Sequence, residues 1–266
     1  MTTRIIPVEG LLAALRRRVP NGGSPVSTEF REGYAAAVQH LAQEFAAAAA
    51  PAPTIPVDGV LWNAMDNGLV WLPEWGLGYS SAALRASGIY DEGYWQSYAE
   101  RAATPMGRRL TAMRVELVRR HYGDGPLVDV GIGCGHFVET RGGETQGYDV
   151  NPVGVQWLRT RGRYCDPYAA PVPAVTLWDV VEHLPEPSLL LDHVRDFAFM
   201  TLPLFVDAAH VLRSKHFKRT EHLWYWTRGG LLNWMDAQGF DCLEHGTPES
   251  LAGREDIHTF VFRRRR

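Results

Sequence analysis

The 266-residue sequence predicts an α/β fold built around a doubly wound, mostly parallel sheet. Three observations lead there. From Gly125 onward, short apolar runs alternate with amphipathic stretches, the pattern of strands separated by crossover helices. The first run, Leu127-Val128-Asp129-Val130, breaks into Gly131-Ile132-Gly133-Cys134-Gly135, and a helix opens at about Phe137. Glycines at alternate positions let a backbone turn sharply and approach a ligand closely. Finally, Asp129, Asp149, Asp166 and Asp179 all fall at carboxyl ends of predicted strands, where open α/β sheets hold their ligands.

In chain order, residues 1–104 are expected to form a helical or irregular N-terminal extension or lid, and residues 105–266 the main domain. Thr28 is an N-cap residue type with Glu29 and Glu32 behind it, which predicts a helix from Thr28 to Ala50. Pro51-Ala52-Pro53-Thr54-Ile55-Pro56 is a stiff linker. The stretch 57–79 is rich in tryptophan (Trp62, Trp71, Trp75) without clear periodicity; it fits aromatic packing on the main domain, or a lid or partner-binding patch. A helix is predicted from Asp91 to Arg101, with Tyr94, Trp95 and Tyr98 at near-helical spacing. Another is predicted from Pro105 to His121, with Leu110, Met113 and Leu117 as its apolar face. Strands follow at 126–130, 145–149, 163–165, 174–179 and 197–206, and helices near 135–141, 152–161, 187–196 and 227–238. Phe240 to His245 and Ile257 to Arg263 suit a closing antiparallel pair.

Composition narrows the function classes. A formal net charge of −3 argues against a generally basic nucleic-acid binder, though not against local patches. Three cysteines without paired spacing (Cys134, Cys165, Cys242) predict reduced thiols and a cytoplasmic setting. The Leu11–Leu15 run is too short for a signal peptide and is followed, not preceded, by arginines. No stretch approaches the length of a membrane span.

The glycine turn has the form D-x-G-x-G-x-G rather than the G-x-G-x-x-G of dinucleotide sites. Asp149 lies eighteen residues after Gly131, in Gly147-Tyr148-Asp149-Val150-Asn151-Pro152; next come Arg163-Tyr164-Cys165-Asp166-Pro167 and Trp178-Asp179-Val180-Val181-Glu182-His183-Leu184-Pro185. In this order and spacing the segments resemble the class I S-adenosyl-L-methionine (SAM)-dependent methyltransferases, and within them the ubiquinone-pathway branch with its V-x-E-H-L-P stretch. The resemblance covers roughly residues 105–262. It implies a seven-stranded Rossmann-like sheet with a reversed last strand, and a transferase that uses SAM. The implied cofactor residues are Asp129, Gly131, Gly133, Gly135, Asp149, Val150, Asn151, Asp166, Trp178 and Asp179, with Asp149 on the ribose hydroxyls and Asp166 on the adenine amino group. The helix ahead of the first strand often lies over the cofactor in this family; Tyr94 or Tyr98 then either reaches the cofactor or packs in the core.

A hydroxyl acceptor needs a base or a metal to expose its oxygen. Asp179, Glu182 and His183 offer two carboxylates and an imidazole at one turn, a donor set suited to Mg²⁺, Mn²⁺ or Zn²⁺. Glu221-His222-Leu223-Trp224-Tyr225-Trp226-Thr227-Arg228 is similar to the His-before-W-T-R segment of 2′-O-methyltransferases acting on small-RNA 3′ ends, whose E-x-x-E-H motif also supplies metal ligands. Carried over, that resemblance implies Asp179, Glu182, His183 and His222 as metal ligands, with Asp in place of the first Glu. The alternative without metal makes His183 or His222 the catalytic base. The basic segment Arg213-Ser214-Lys215-His216-Phe217-Lys218-Arg219 fits either an anionic acceptor or a solvated loop. The expected acceptor is an oxygen of a small hydroxylated or aromatic metabolite. A nucleic acid or nucleotide bound by the basic loop is the second reading, and a SAM-binding scaffold without catalysis the third.

Overall fold

The computed structural model describes residues 68–80 and 90–266; the helix expected at 28–50, the proline linker and Trp62 lie outside them. The main sheet has six strands: β3 (Leu127–Val130), β4 (Thr145–Tyr148), β5 (Val172–Trp178), β6 (Val194–Pro203), β8 (Phe240–Gly246) and β9 (Ile257–Arg264). Their spatial order is β4-β3-β5-β6-β9-β8. The first four run parallel, β9 is antiparallel to β6, and β8 is antiparallel to β9. The chain steps outward from β3 to β4 and then returns to the other side of β3 as β5. The order therefore reverses at the carboxyl ends of β3 and β5, where a crevice opens.

Helices α1 (Glu92–Ala102), α2 (Pro105–Tyr122), α3 (His136–Arg141), α4 (Pro152–Thr160), α5 (Pro187–His193), α6 (Ala208–Arg213), α7 (Arg228–Ala237) and α8 (Pro248–Leu251) join these strands or precede them. Their starts follow local chemistry. Asp91, Thr104, Asn151, Asp207 and Thr227 each cap a helix by accepting a backbone N–H on the side-chain oxygen. Proline follows the cap in α2 and α4, where its missing N–H costs nothing. The core holds Val128, Val130, Val175, Leu177, Ala198, Met200, Leu202 and Phe260 on the sheet. On α2 the buried face is Thr111, Val115, Leu117 and Val118, so it is rotated from the expected stripe and leaves Leu110 and Met113 half-buried.

Three expectations change. The strand expected at 163–165 is only a single bridge, Tyr164 to Gly147, so the sheet has six strands rather than seven. Two hydrogen bonds hold it there, Gly147 N to the Arg163 carbonyl and Cys165 N to the Gly147 carbonyl. The Asp166 carboxylate then accepts the Tyr168 N–H and turns the chain away. The helix expected to reach 196 stops at His193, because Val194 already pairs with Val172 as the start of β6. The Trp-rich segment, in its described part, is a β-hairpin rather than helical: β1 (Leu69–Leu72) and β2 (Leu77–Ser80). This hairpin pairs with β7 (Trp224–Trp226) in a three-stranded antiparallel sheet, across the boundary placed at 104. Tyr79 packs on Trp224, Trp224 stacks on Trp226 and Trp226 meets Trp234, while Trp71 is buried on the hairpin's other side with Phe205 and Tyr225.

The three cysteines are free thiols. Among the described residues, no helix is long and apolar enough to cross a membrane. The arginine-rich C-terminus is tied down: Arg263 pairs with Asp196, Arg265 with Asp236 and Asp241, and Arg264 donates to the Val194 and Leu191 carbonyls.

Candidate functional site

The turn after β3 needs its glycines. Gly131, Gly133 and Gly135 all have positive φ (71°, 57° and 77°), a conformation that strains any residue with a Cβ. Space forbids one as well. A Cβ on Gly131 would lie 2.6 Å from a Val180 methyl, and one on Gly135 2.5 Å from the Trp157 ring.

Asp149, at the tip of β4, faces this turn. Its carboxylate accepts the Asn151 N–H at 2.8 Å. Burial pushes its pKa up, and the backbone N–H groups of Asn151, Val150, Gly133 and Ile132 work against that rise. Val150 beside it is 65% exposed, an apolar side chain open to solvent at the rim of the crevice. Asp166 stands across the bridge to Gly147, one oxygen used by Tyr168 N. Trp178 is buried against Phe137, with the Arg114 guanidinium 5.1 Å above its ring.

Asp129 sits differently from the other acids. It is 1% exposed and accepts the Thr176 hydroxyl at 2.6 Å, so it braces β3 to β5 from within. Burial raises its pKa to about 7, against the Thr176 hydrogen bond and the Arg114 charge. In the unfolded chain an aspartate titrates near ~3.9. Between those two values the folded state holds a proton that the unfolded state releases. The group's contribution to stability is therefore complete below about pH 4 and is lost as pH rises through about 7. Asp129→Asn should flatten the fall in denaturation midpoint over that range; parallel wild-type and variant curves would show that Asp129 carries none of it.

Glu182, His183 and His222 converge: one ligand atom from each lies within 4.8 Å of the others. Glu182 and His183 occupy a short 3-10 turn (Val181–His183) after β5, and His222 leads into β7. The Leu223 N–H donates to the Glu182 carbonyl at 2.8 Å, which fastens the β7 segment over that turn. The two imidazoles meet edge to face, with ring centroids 4.5 Å apart. His183 Nδ1 lies 3.0 Å from the Glu221 carbonyl; that partner assigns the proton to Nδ1 and leaves the Nε2 lone pair free.

The donor set passes a test of fit for a cation. Glu182 is 1% exposed and His222 3%, and both Glu182 carboxylate oxygens and His222 Nδ1 are buried without a hydrogen-bond partner. Buried polar atoms in that state are uncommon and costly. Burial and the nearby Asp179 charge push the Glu182 pKa well up. Burial, with the cost of placing a second positive charge near His183, Lys218 and His216, lowers that of His222 to about 2. Burial also lowers the His183 pKa. Both rings are thus neutral at physiological pH, the form that binds metals.

Asp179 is not part of this convergence, which corrects the expected four-residue set. It takes φ 59°, and its carboxylate pairs with Arg114 at 3.2 Å and Arg254 at 2.9 Å. Glu249, 2% exposed, holds both arginines from the other side. The two guanidinium charges keep the Asp179 pKa below the usual carboxylate range. Nothing in the sequence pairs Arg114 with Asp179, 65 positions away, or with Glu249, 135 positions away, so this quartet escaped the sequence reading.

In the basic segment, Lys215 pairs with Glu255, Lys218 with Glu221, and His216 Nε2 meets the Glu255 carbonyl. Its lysines are thus largely neutralised within the protein. The pairs are exposed and individually weak.

A family model described as a methyltransferase domain matches residues 98–245. A search of curated proteins finds no match to the chain. Among solved structures, the chain resembles the magnesium protoporphyrin IX methyltransferase of Synechocystis PCC 6803 with bound S-adenosylhomocysteine (SAH), at 12% identity, TM-score 0.49, over 65% of this chain and 94% of that one. It also resembles a SAM-dependent methyltransferase of Thermotoga maritima, described as a possible histamine N-methyltransferase, at 13% identity, TM-score 0.48, over 65% and 97%. A third is the 1,6-didemethyltoxoflavin-N1-methyltransferase of Burkholderia thailandensis, solved with that compound and SAH, at 14% identity, TM-score 0.44, over 65% and 86%.

Proposed function

We propose that this chain, which belongs to the methyltransferase-domain family, is SAM-dependent and transfers the methyl group of SAM to an oxygen of a small hydroxylated or aromatic acceptor. The observation that carries this reading is the convergence of Glu182, His183 and His222, two of which follow Val180, the residue packed against Gly131. An oxygen nucleophile must shed a proton, and this cluster is the means of handling it.

SAM would lie along the crevice. The Gly131–Gly135 turn offers backbone N–H groups to its methionine end, Asp149 and Asn151 meet the ribose, Val150 covers the adenine, and Asp166 accepts from the adenine amino group. Trp178 and the start of the turn after β5 close the far side. Asp129 supports the turn from beneath.

Glu182, His183 and His222 would hold a divalent ion of the Mg²⁺, Mn²⁺ or Zn²⁺ kind, which when bound supplies Lewis acidity that lowers the acceptor's pKa. In the alternative without metal, His183 is the better proton acceptor of the two imidazoles, since the His222 pKa is pressed down to about 2. The hydrogen bond to the Glu221 carbonyl holds its ring and leaves Nε2 as the nitrogen with a free lone pair. The ubiquinone-pathway branch shares this E-H-L-P turn, and the small-RNA enzymes the later histidine. A nucleic-acid acceptor is the weaker reading, since Lys215 and Lys218 already have acidic partners.

The cofactor assignment is tested at Asp149. Asp149→Ala should weaken SAM binding by about 1.5–3 kcal/mol, the worth of hydrogen bonds to a charged group. Calorimetry showing wild-type affinity in the variant would reject it.

A further inference from the structure

The segment leading into β7 grips the turn after β5 at three successive positions. The Glu221 carbonyl meets His183 Nδ1 at 3.0 Å, the Leu223 N–H donates to the Glu182 carbonyl at 2.8 Å, and the Trp224 indole N–H donates to the Leu184 carbonyl at 2.8 Å. The carbonyls on both sides of His183 are thus pinned, and so is its ring. His222, which completes the donor cluster, lies between these anchors.

The hairpin β1–β2 lies along the same segment. The Ser80 N–H donates to the Leu223 carbonyl at 2.9 Å, so Leu223 links the hairpin directly to Glu182. Beside it, Tyr79 pairs with Trp224 across the strands and packs on its ring, centroids 5.0 Å apart. Ser80, Tyr79 and Trp224 are all buried. The other end of β2 is held as well, since the Thr227 N–H donates to the Gly76 carbonyl at 2.7 Å. This hairpin precedes the span 98–245 that the methyltransferase-domain family shares, yet it reaches the candidate site.

The cluster needs a holder. The Glu182 carboxylate and His222 Nδ1 are buried without hydrogen-bond partners, so bringing them together opposes folding. The backbone and indole hydrogen bonds of this small sheet act on the residues that carry them.

We propose that Trp224 is a positioning residue and the hairpin β1–β2 its support: together they hold the Glu182–Leu184 turn against His222, and thereby set the cluster's affinity for a divalent cation without touching the ion. This rests on the reading of Glu182, His183 and His222 as a cation site.

The test is Trp224→Phe, which keeps an aromatic ring against Tyr79 and Trp226 but removes the indole N–H. Calorimetry with Zn²⁺ alone is expected to show binding weakened about tenfold, as for loss of an outer partner of a metal ligand, with SAM affinity unchanged. Trp226→Phe makes the same chemical change two residues on, in the same buried sheet, and is expected to bind Zn²⁺ as wild type does. Tyr79→Leu removes the support from the hairpin side; it should weaken Zn²⁺ binding likewise, and it takes the place of Trp224→Phe if that variant does not fold. Equal losses in Trp224→Phe and Trp226→Phe would mean that the sheet adds stability only and would overturn the proposal, as would wild-type affinity in Trp224→Phe. Wild type that binds no Zn²⁺ would overturn the cation reading instead. Amide hydrogen exchange then decides the positioning role. Leu223 N–H exchange at least about tenfold faster in Trp224→Phe than in Trp226→Phe upholds it, and equal rates overturn it.

Discussion

His222→Ala is expected to lower the affinity of the metal-stripped protein for Zn²⁺ or Mn²⁺ by at least 10- to 100-fold, measured by calorimetry with the metal alone. Losing even a supporting partner of a metal ligand costs that much, and His222 supplies one of the three donors that converge among the described residues. Asp179→Asn is the control that separates this arrangement from the four-ligand set implied by the sequence. Asp179 spends its charge on Arg114 and Arg254, so its loss should leave metal affinity near the wild-type value. Weak binding by Asp179→Asn would restore the four-ligand set. No binding by wild type would remove the metal, and leave Glu182 and the imidazoles as proton-handling groups only.

The second large effect is on stability. Glu249→Ala should destabilise the fold by about 3 kcal/mol, the low end of the cost of breaking a buried ion pair. Glu249 is 2% exposed and neutralises two guanidinium groups. Removing it leaves Arg114 and Arg254 to share Asp179. The quartet joins α2, the turn after β5 and α8, so the loss should also loosen the Asp179–His183 turn. Denaturant midpoints test the first effect. A change below about 0.5 kcal/mol would place the quartet with surface pairs of little worth.

Local chemistry made much of this protein legible. The alternation of apolar runs placed β3, β4, β5, β6, β8 and β9 to within a few residues; the signal is strongest in the inner strands β3, β5, β6 and β9, which are buried along most of their length and therefore largely apolar, and weaker in the edge strands β4 and β8. The Gly131–Gly135 turn was visible because no other residue tolerates those backbone angles in that space. Helix starts were visible through proline and capping residues. The proximity of His183 to His222 came only through resemblance, since a separation of 39 positions hides it from any local pattern.

What the sequence by itself determined is therefore most of the set of elements and the Gly131–Gly135 turn, since both rest on spacing and backbone conformation within a few residues. The tertiary structure decided the rest. It withdrew the strand at 163–165, because pairing with Gly147 lasts for one residue before Asp166 turns the chain. The Trp-rich hairpin became a sheet only because β7 supplies its third strand. Asp179 and Glu182, three residues apart and chemically alike, took opposite roles because two distant arginines reach one and none pairs with the other. A carboxylate's role depends on which charges the fold brings beside it, and charges separated by tens to more than a hundred residues leave no mark on local sequence.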